Sequence, residues 1–145
     1  MAGGLVKTSD NWAMLLIRLV LGTIMFAHGT QKVFGWWGGP GFNQWINQVA
    51  PFQEMRPSWF WMGAAAISEL VGGAMVMIGL YTRVGAFFIG CVMLTAIAGV
   101  HWKSGFFINS GGFEYPLALL GMAAALLVHG GGTASIDSQM QGGKK

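Results

Sequence analysis

The stretch Trp12–Phe34, WAMLLIRLVLGTIMFAHGTQKVF, decides the fold. As a helix rising 1.5 Å per residue it is about 35 Å long, enough to cross a hydrocarbon core about 30 Å thick. Backbone polar groups in lipid must pair within the segment, so a helix is expected. Arg18, Gly22, Met25, Gly29 and Lys32 share one helical face, with His28 at its border. Gly22 and Gly29 admit another backbone at close range. That face therefore meets protein rather than lipid.

Three similar runs follow: 58–80 with Glu69, 83–102 with Cys91 and His101, and 115–132 with His129. Gly35, Gly38, Gly39, Pro40 and Gly41 break the chain after the first run, and Pro57 precedes the second. Pro116 suits the first turn of the fourth. Ala65, Glu69 and Gly73 repeat the small-residue stripe on the second helix. The expected fold is all-α, an integral membrane four-helix bundle in one domain, 1–145. A short amphipathic helix within Phe42–Phe52 is expected along the interface between the first and second spans. The polar tail 133–145 is expected to fray.

Composition supports this class. The chain is 54% hydrophobic and 9% charged, against about 25% charged in soluble proteins. An ordinary soluble enzyme and a disordered chain are both excluded. The formal charge of +3 is small and scattered, so nucleic acid is not an expected partner. The single cysteine, Cys91, makes no internal disulfide and no zinc or iron–sulfur ligand set. The first apolar run reads as a retained span rather than a cleaved signal. An even number of spans puts both termini on one side. Lys7, Arg83, Lys144 and Lys145 lie there, against Arg56 and Lys103 with Glu54 and Glu114 opposite. The positive-inside rule then favours cytoplasmic termini by a narrow margin.

Ionisable residues within spans are costly unless paired or wetted, and are therefore the informative ones. Helix rise puts Arg18 about 10 Å inside one edge and Glu69 about 16 Å inside the other. The two are expected to meet, either as an interhelical salt bridge that fixes packing or as a proton or ligand site. His28, Lys32, His101 and Glu114 gather at the other boundary, beside Trp36, Trp37 and Trp102, which read as an interfacial belt. Arg18, His28, Lys32, Glu69, His101 and Glu114 are the candidate lining of a polar pocket. The sharper expectation is that His28, Lys32, His101 and Glu114 converge on one cavity open to the periplasmic boundary. The plain alternative is a hydrogen-bonded plug that ties helix ends together. No covalent cofactor is expected, and the ligand pattern argues against haem or a metal. His129 is expected to donate to a helix carbonyl, and the ten Met residues to fill packing gaps.

Several landmarks then occur in order. They are Arg18-Leu19 with Gly22; Phe26-Ala27-His28-Gly29 followed by Lys32 and Phe34; Ser68-Glu69 with Gly72-Gly73; and Gly79-Leu80-Tyr81-Thr82-Arg83. Later come Ala96, His101, Gly105-Phe106-Phe107, Gly112 with Glu114-Tyr115, Gly131 and Ser135-Ile136-Asp137. As a set, over about the whole chain, they resemble the DoxX family of small bacterial membrane proteins. The resemblance implies a four-helix fold in the bacterial inner membrane. Family members include parts linked to terminal oxidases, and relatives serve in thiosulfate:quinone oxidoreductase. The leading expectation is a subunit of a quinone-linked redox complex whose polar pocket takes a quinone or small anion. The alternatives are a non-catalytic structural or assembly subunit of a larger respiratory or photosynthetic complex, and a small-molecule or anion carrier. The expected partners are the lipid bilayer and other membrane-protein subunits. The chain has no cysteine pair and no nucleotide-binding glycine motif, so thiosulfate chemistry would require a partner.

Overall fold

Asn11 starts the first long helix, its side-chain oxygen accepting the Ala13 N–H at 2.9 Å, an N-terminal cap of the usual kind. In the computed structural model, which describes residues 2–8, 10–48, 50–52 and 55–142, all regular structure is helical. The elements are α1 (Ala2–Leu5), α2 (Trp12–Phe34), α3 (Gly41–Ile46), α4 (Ser58–Ile78), α5 (Thr82–Ala96), α6 (Glu114–His129) and α7 (Ile136–Gly142). α5 continues through a widened π turn, Ile97–His101, and a tight 3-10 turn, Trp102–Ser104. Three helical stretches, Trp12–Phe34, Ser58–Ile78 and Thr82–Ser104, are long and apolar enough to cross a membrane, and Glu114–His129 is a shorter apolar helix.

α2 and α4 are antiparallel and make the most intimate contact of the fold. A Cβ on Gly22 would stand 2.6 Å from the Met77 backbone nitrogen, and Gly29 and Gly73 lie equally hard against the backbones of Leu70 and Phe26. Only glycine permits this approach, which fixes the register as Gly22 beside Met77, Phe26 beside Gly73 and Gly29 beside Leu70. The helix ends are consequently staggered. The start of α4 extends past α2 and packs on α3, where Gly63 meets Phe42 and Ile46. α5 returns against α4, and α6 against α5. Met14, Leu21 and Met25 of α2 share a core with Val76 of α4, Ala86, Ile89 and Met93 of α5, and Leu119, Ala123 and Leu126 of α6. The seam between α2 and α6 is the loosest.

The outward faces carry Leu16, Leu19, Val20, Ile67, Val71, Phe87, Phe88, Leu94, Leu117 and Val128, all exposed. A water-soluble monomer does not display apolar surface on this scale; lipid is the solvent for it. The expected helix within Phe42–Phe52 is shorter than read, Gly41–Ile46, and is pinned to α4 by a 2.7 Å hydrogen bond from the Trp45 indole N–H to the Met62 carbonyl. Val49, Glu54, Lys144 and Lys145, which entered the sequence reading, lie outside the described residues.

The expectation of a frayed tail is corrected. Residues 136–142 form α7, which folds back against the end holding both termini. Asp137 is only 1% exposed. Its carboxylate accepts the backbone N–H groups of Tyr81 at 2.7 Å and Thr82 at 2.9 Å. Those donors open α5 and have no partner within the helix. The Gln141 amide donates to the Val6 carbonyl at 2.6 Å, so the two chain ends hold each other. A buried carboxylate capping a helix outweighs the entropy of a short polar tail.

Candidate functional site

The expected Arg18–Glu69 meeting does not occur. Continued along both helices, the glycine register puts Arg18 level with Tyr81 and Glu69 level with Thr30. Their levels differ by twelve positions, about 18 Å. The depth arithmetic assumed flush helix ends, whereas backbone contact at the glycines imposes a stagger. Arg18, 3% exposed, donates to the carbonyls of Gly131 at 3.1 Å and Ala134 at 3.0 Å. Asp137 lies within electrostatic reach of it. Arg18 thus ties α2 to the returning C-terminal segment. At the same end Arg83 donates to the carbonyls of Lys7 and Val128 at 3.0 and 2.8 Å.

Glu69 is instead partnered by Lys32, two positions from its level on the facing helix. The carboxylate is buried and the Lys32 side chain mostly so. Lys32 Nζ also stands 4.6 Å from the centroid of the Trp45 ring, a cation–π contact. α3 is what delivers that ring. Tyr115, on the first turn of α6, lies within electrostatic reach of Glu69. Four elements therefore contribute to one polar cluster: α2, α3, α4 and α6.

Tyr115 also lines a cavity of about 320 Å3 with Ile24, Ala27, His28, Gln31 and Trp37. It sits at the loose α2–α6 seam, at the end away from the termini. Within the described residues the side chains of His28, Gln31 and Tyr115 make no hydrogen bond to protein. A planar apolar wall, with donors and acceptors left open beside it, is the usual make-up of a small-molecule site. A second cavity of about 300 Å3 between α4 and α5 is lined by Ala64, Ile67, Ser68, Val71, Gly72, Met75 and Phe88, and is almost wholly apolar.

Trp37 has a backbone that its residue type disfavours, φ 51° and ψ 36°. The left-handed region costs a non-glycine residue about 1–2 kcal/mol. Glycines flank it: Gly35 and Gly38 also have positive φ, and Gly39 lies against the backbone of Gln31, doubling the loop back over the last turns of α2. Trp36 braces the Trp37 ring edge-on, with centroids 5.8 Å apart.

His101 and Glu114 do not join this cavity. His101 Nδ1 is 2.7 Å from the Gly111 carbonyl, and Glu114 Oε1 accepts the Ile108 N–H at 2.7 Å. Both brace the loop between α5 and α6. Of the six sequence candidates, the structure pairs Lys32 with Glu69, places His28 in the lining of the cavity, which the pair does not line, and separates Arg18, His101 and Glu114. Gln31, Trp45 and Tyr115 were missed as site residues. The spacing of Gln31, one turn after Ala27 and three residues after His28, was the available signal. Tyr115 appeared only as a landmark beside Glu114. Among the described residues no three His, Cys, Asp or Glu side chains converge as a metal-ligand set.

Comparison with known proteins places this geometry in context. The DoxX family model matches residues 13–102, which span α2 from its second residue through α5 but do not include Tyr115. A Bacillus subtilis (strain 168) protein named "Putative oxidoreductase CatD" is 34% identical over 112 residues, covering 77% of this chain and 76% of the relative. An uncharacterised protein of Haemophilus influenzae is 25% identical over 127 residues, covering 87% of this chain and 82% of the relative. No solved structure matches the chain at a significant level.

Proposed function

Because the chain belongs to the DoxX family of multi-pass membrane proteins, we propose that it is a redox-linked subunit that binds a quinone headgroup in the groove between α2 and α6. The observation that carries this reading is the open groove at that seam, where the accessible polar side chains of His28, Gln31 and Tyr115 stand with the Trp37 ring. The printed name of the Bacillus subtilis relative supports a redox role. The groove would admit an isoprenoid molecule sideways from the bilayer, its tail remaining in lipid.

A bound quinone would supply two-electron acceptance. The chain's own residues supply the rest. The Gln31 amide and the His28 imidazole donate hydrogen bonds to ring oxygens, each worth about 0.5–1.5 kcal/mol net. Tyr115 lines the groove, and its hydroxyl would be a further hydrogen-bond donor to a ring oxygen. Lys32 pairs with Glu69, and the Trp45 ring lies against Lys32. Because Lys32 is already paired, the geometry favours a neutral ring over a small anion. The chain has a single cysteine and so no dithiol of its own, and electrons for a bound quinone would come from a partner subunit.

The same reading takes α6 as a fourth span, giving a four-helix bundle in the bacterial inner membrane. With Lys7, Arg83, Lys144 and Lys145 set against Arg56 and Lys103, the positive-inside rule would place the termini in the cytoplasm, and the groove would then open in the periplasmic half.

The test is equilibrium binding of decylubiquinone to purified protein in lipid nanodiscs. Saturable, stoichiometric binding is expected, weakened about 3- to 10-fold by Gln31→Leu. Partitioning that never saturates, with no difference between wild type and Gln31→Leu, would remove the quinone reading. Saturable binding unaffected by Gln31→Leu would move the site elsewhere.

A further inference from the structure

Resting on the quinone reading, we propose that Trp37 is the residue that makes the groove selective for a conjugated planar ring, by presenting its indole as a stacking face. Three observations carry this. Trp37 occupies a left-handed backbone position, φ 51°, in a loop where its neighbours Gly35, Gly38 and Gly39 are glycine. Protein packing does not offset that strain, since the residue remains 68% exposed. The indole nevertheless lines the cavity that holds the open polar groups of His28 and Gln31. Of the three non-glycine residues with positive φ among the described residues, Trp37, Tyr81 and Ala134, Trp37 alone lines this cavity, and backbone strain tends to gather at ligand-contacting positions.

The loop architecture supports a fixed face rather than a loose side chain. Gly39 seats the loop on the Gln31 backbone. Trp36 packs edge-on against Trp37 and tilted against Phe34, at centroid distances of 5.8 and 5.4 Å. The aromatic row ends at the cavity. A ring lying on Trp37 would have its substituent oxygens toward Gln31 and His28 on the last turns of α2. Aromatic pairs gain through offset or edge-on contact beyond the area they bury. A saturated ring with the same oxygens gains none of that. The competing explanation is a membrane-interface anchor. It makes Trp37 equivalent to Trp36, which is 52% exposed but does not line the cavity.

The experiment compares wild type with Trp37→Gly, Trp37→Phe and Trp36→Leu in nanodiscs. The probes are decylubiquinone and a decyl-substituted cyclohexane-1,4-dione, which keeps the carbonyls and loses the conjugated ring. Thermal unfolding of each variant is followed in parallel. Trp37→Gly relieves the positive φ and is expected to fold at least as well as wild type. It should nonetheless bind decylubiquinone about tenfold more weakly and lose the preference for quinone over dione. Trp37→Phe should retain most of that preference, and Trp36→Leu should bind within about twofold of wild type. Equal binding of the two probes by wild type, or unchanged quinone affinity in Trp37→Gly, would overturn the assignment while leaving the quinone site standing. Failure of wild type to bind decylubiquinone would remove both.

Discussion

Replacing Lys32 with Met would leave the Glu69 carboxylate without its cation inside the bundle. Its side chain is 4% exposed, so water cannot take over the role. Removing one partner of a buried pair costs about 3–5 kcal/mol, and Lys32→Met should approach that range. The reverse change is milder. After Glu69→Gln the ammonium keeps the Trp45 ring at 4.6 Å, a contact worth about 0.5–2 kcal/mol, and the side chain has some access to solvent. A loss of about 1–3 kcal/mol is expected. The double variant carries no buried charge and should be no less stable than Lys32→Met alone. The coupling energy is then at least the cost of Glu69→Gln, about 1–3 kcal/mol. Chemical unfolding in detergent micelles, followed by far-ultraviolet circular dichroism, measures all four corners of the cycle. Additive losses, or a Lys32→Met variant within about 0.5 kcal/mol of wild type, would refute the pairing.

Three further outcomes follow from the same contacts. Asp137→Ala removes two charge-assisted acceptors from the start of α5 and should lower stability by about 3 kcal/mol or more, with Asp137→Asn intermediate; equal melting temperatures for all three proteins would show that α7 is not bound as described. Gly29→Ala forces α2 and α4 apart at backbone contact and should cost about 1–3 kcal/mol, whereas Gly121→Ala, with nothing within 4 Å of its new Cβ, should gain about 0.5–1 kcal/mol; unfolding midpoints that move together would contradict the register. His101→Ala should loosen the loop between α5 and α6 but leave decylubiquinone affinity within about twofold, while His28→Phe should weaken it about 3- to 10-fold; the opposite order in a binding titration would restore His101 to the site.

The parts of the fold legible in the sequence are those that depend on periodicity. The apolar run that begins at Trp12 ends as a helix at Phe34, and the stripe through Gly22 and Gly29 does face another backbone. Periodicity assigns a residue to a helical face but carries no information on axial offset between two helices. Arg18 and Glu69 are on facing stripes, yet the offset is set by which backbone each glycine touches. The return of the C-terminal segment was illegible for a related reason. Ser135-Ile136-Asp137 is polar and short, and only the three-dimensional position of Tyr81 and Thr82 turns Asp137 into a buried cap. Within the site, charged letters drew attention to Lys32, Glu69 and His28. Gln31 and Tyr115 carry no formal charge, and Trp45 lies outside the long helices, so a search for intramembrane ionisable groups passed over all three. His101 and Glu114 were attractive for the same reason, although each places a polar atom on the loop that it braces.

The proposed quinone site in the α2–α6 groove has a direct consequence in native membranes. Photo-crosslinking with an azido-quinone in native membranes, followed by peptide mass spectrometry, tests it most directly. The account predicts adducts on the segment from Ile24 to Trp37 and on the peptide containing Tyr115, displaced by excess decylubiquinone. Adducts confined to the apolar cleft at Ser68 and Phe88, or to the loop at His101, or labelling that excess quinone does not displace, would contradict it.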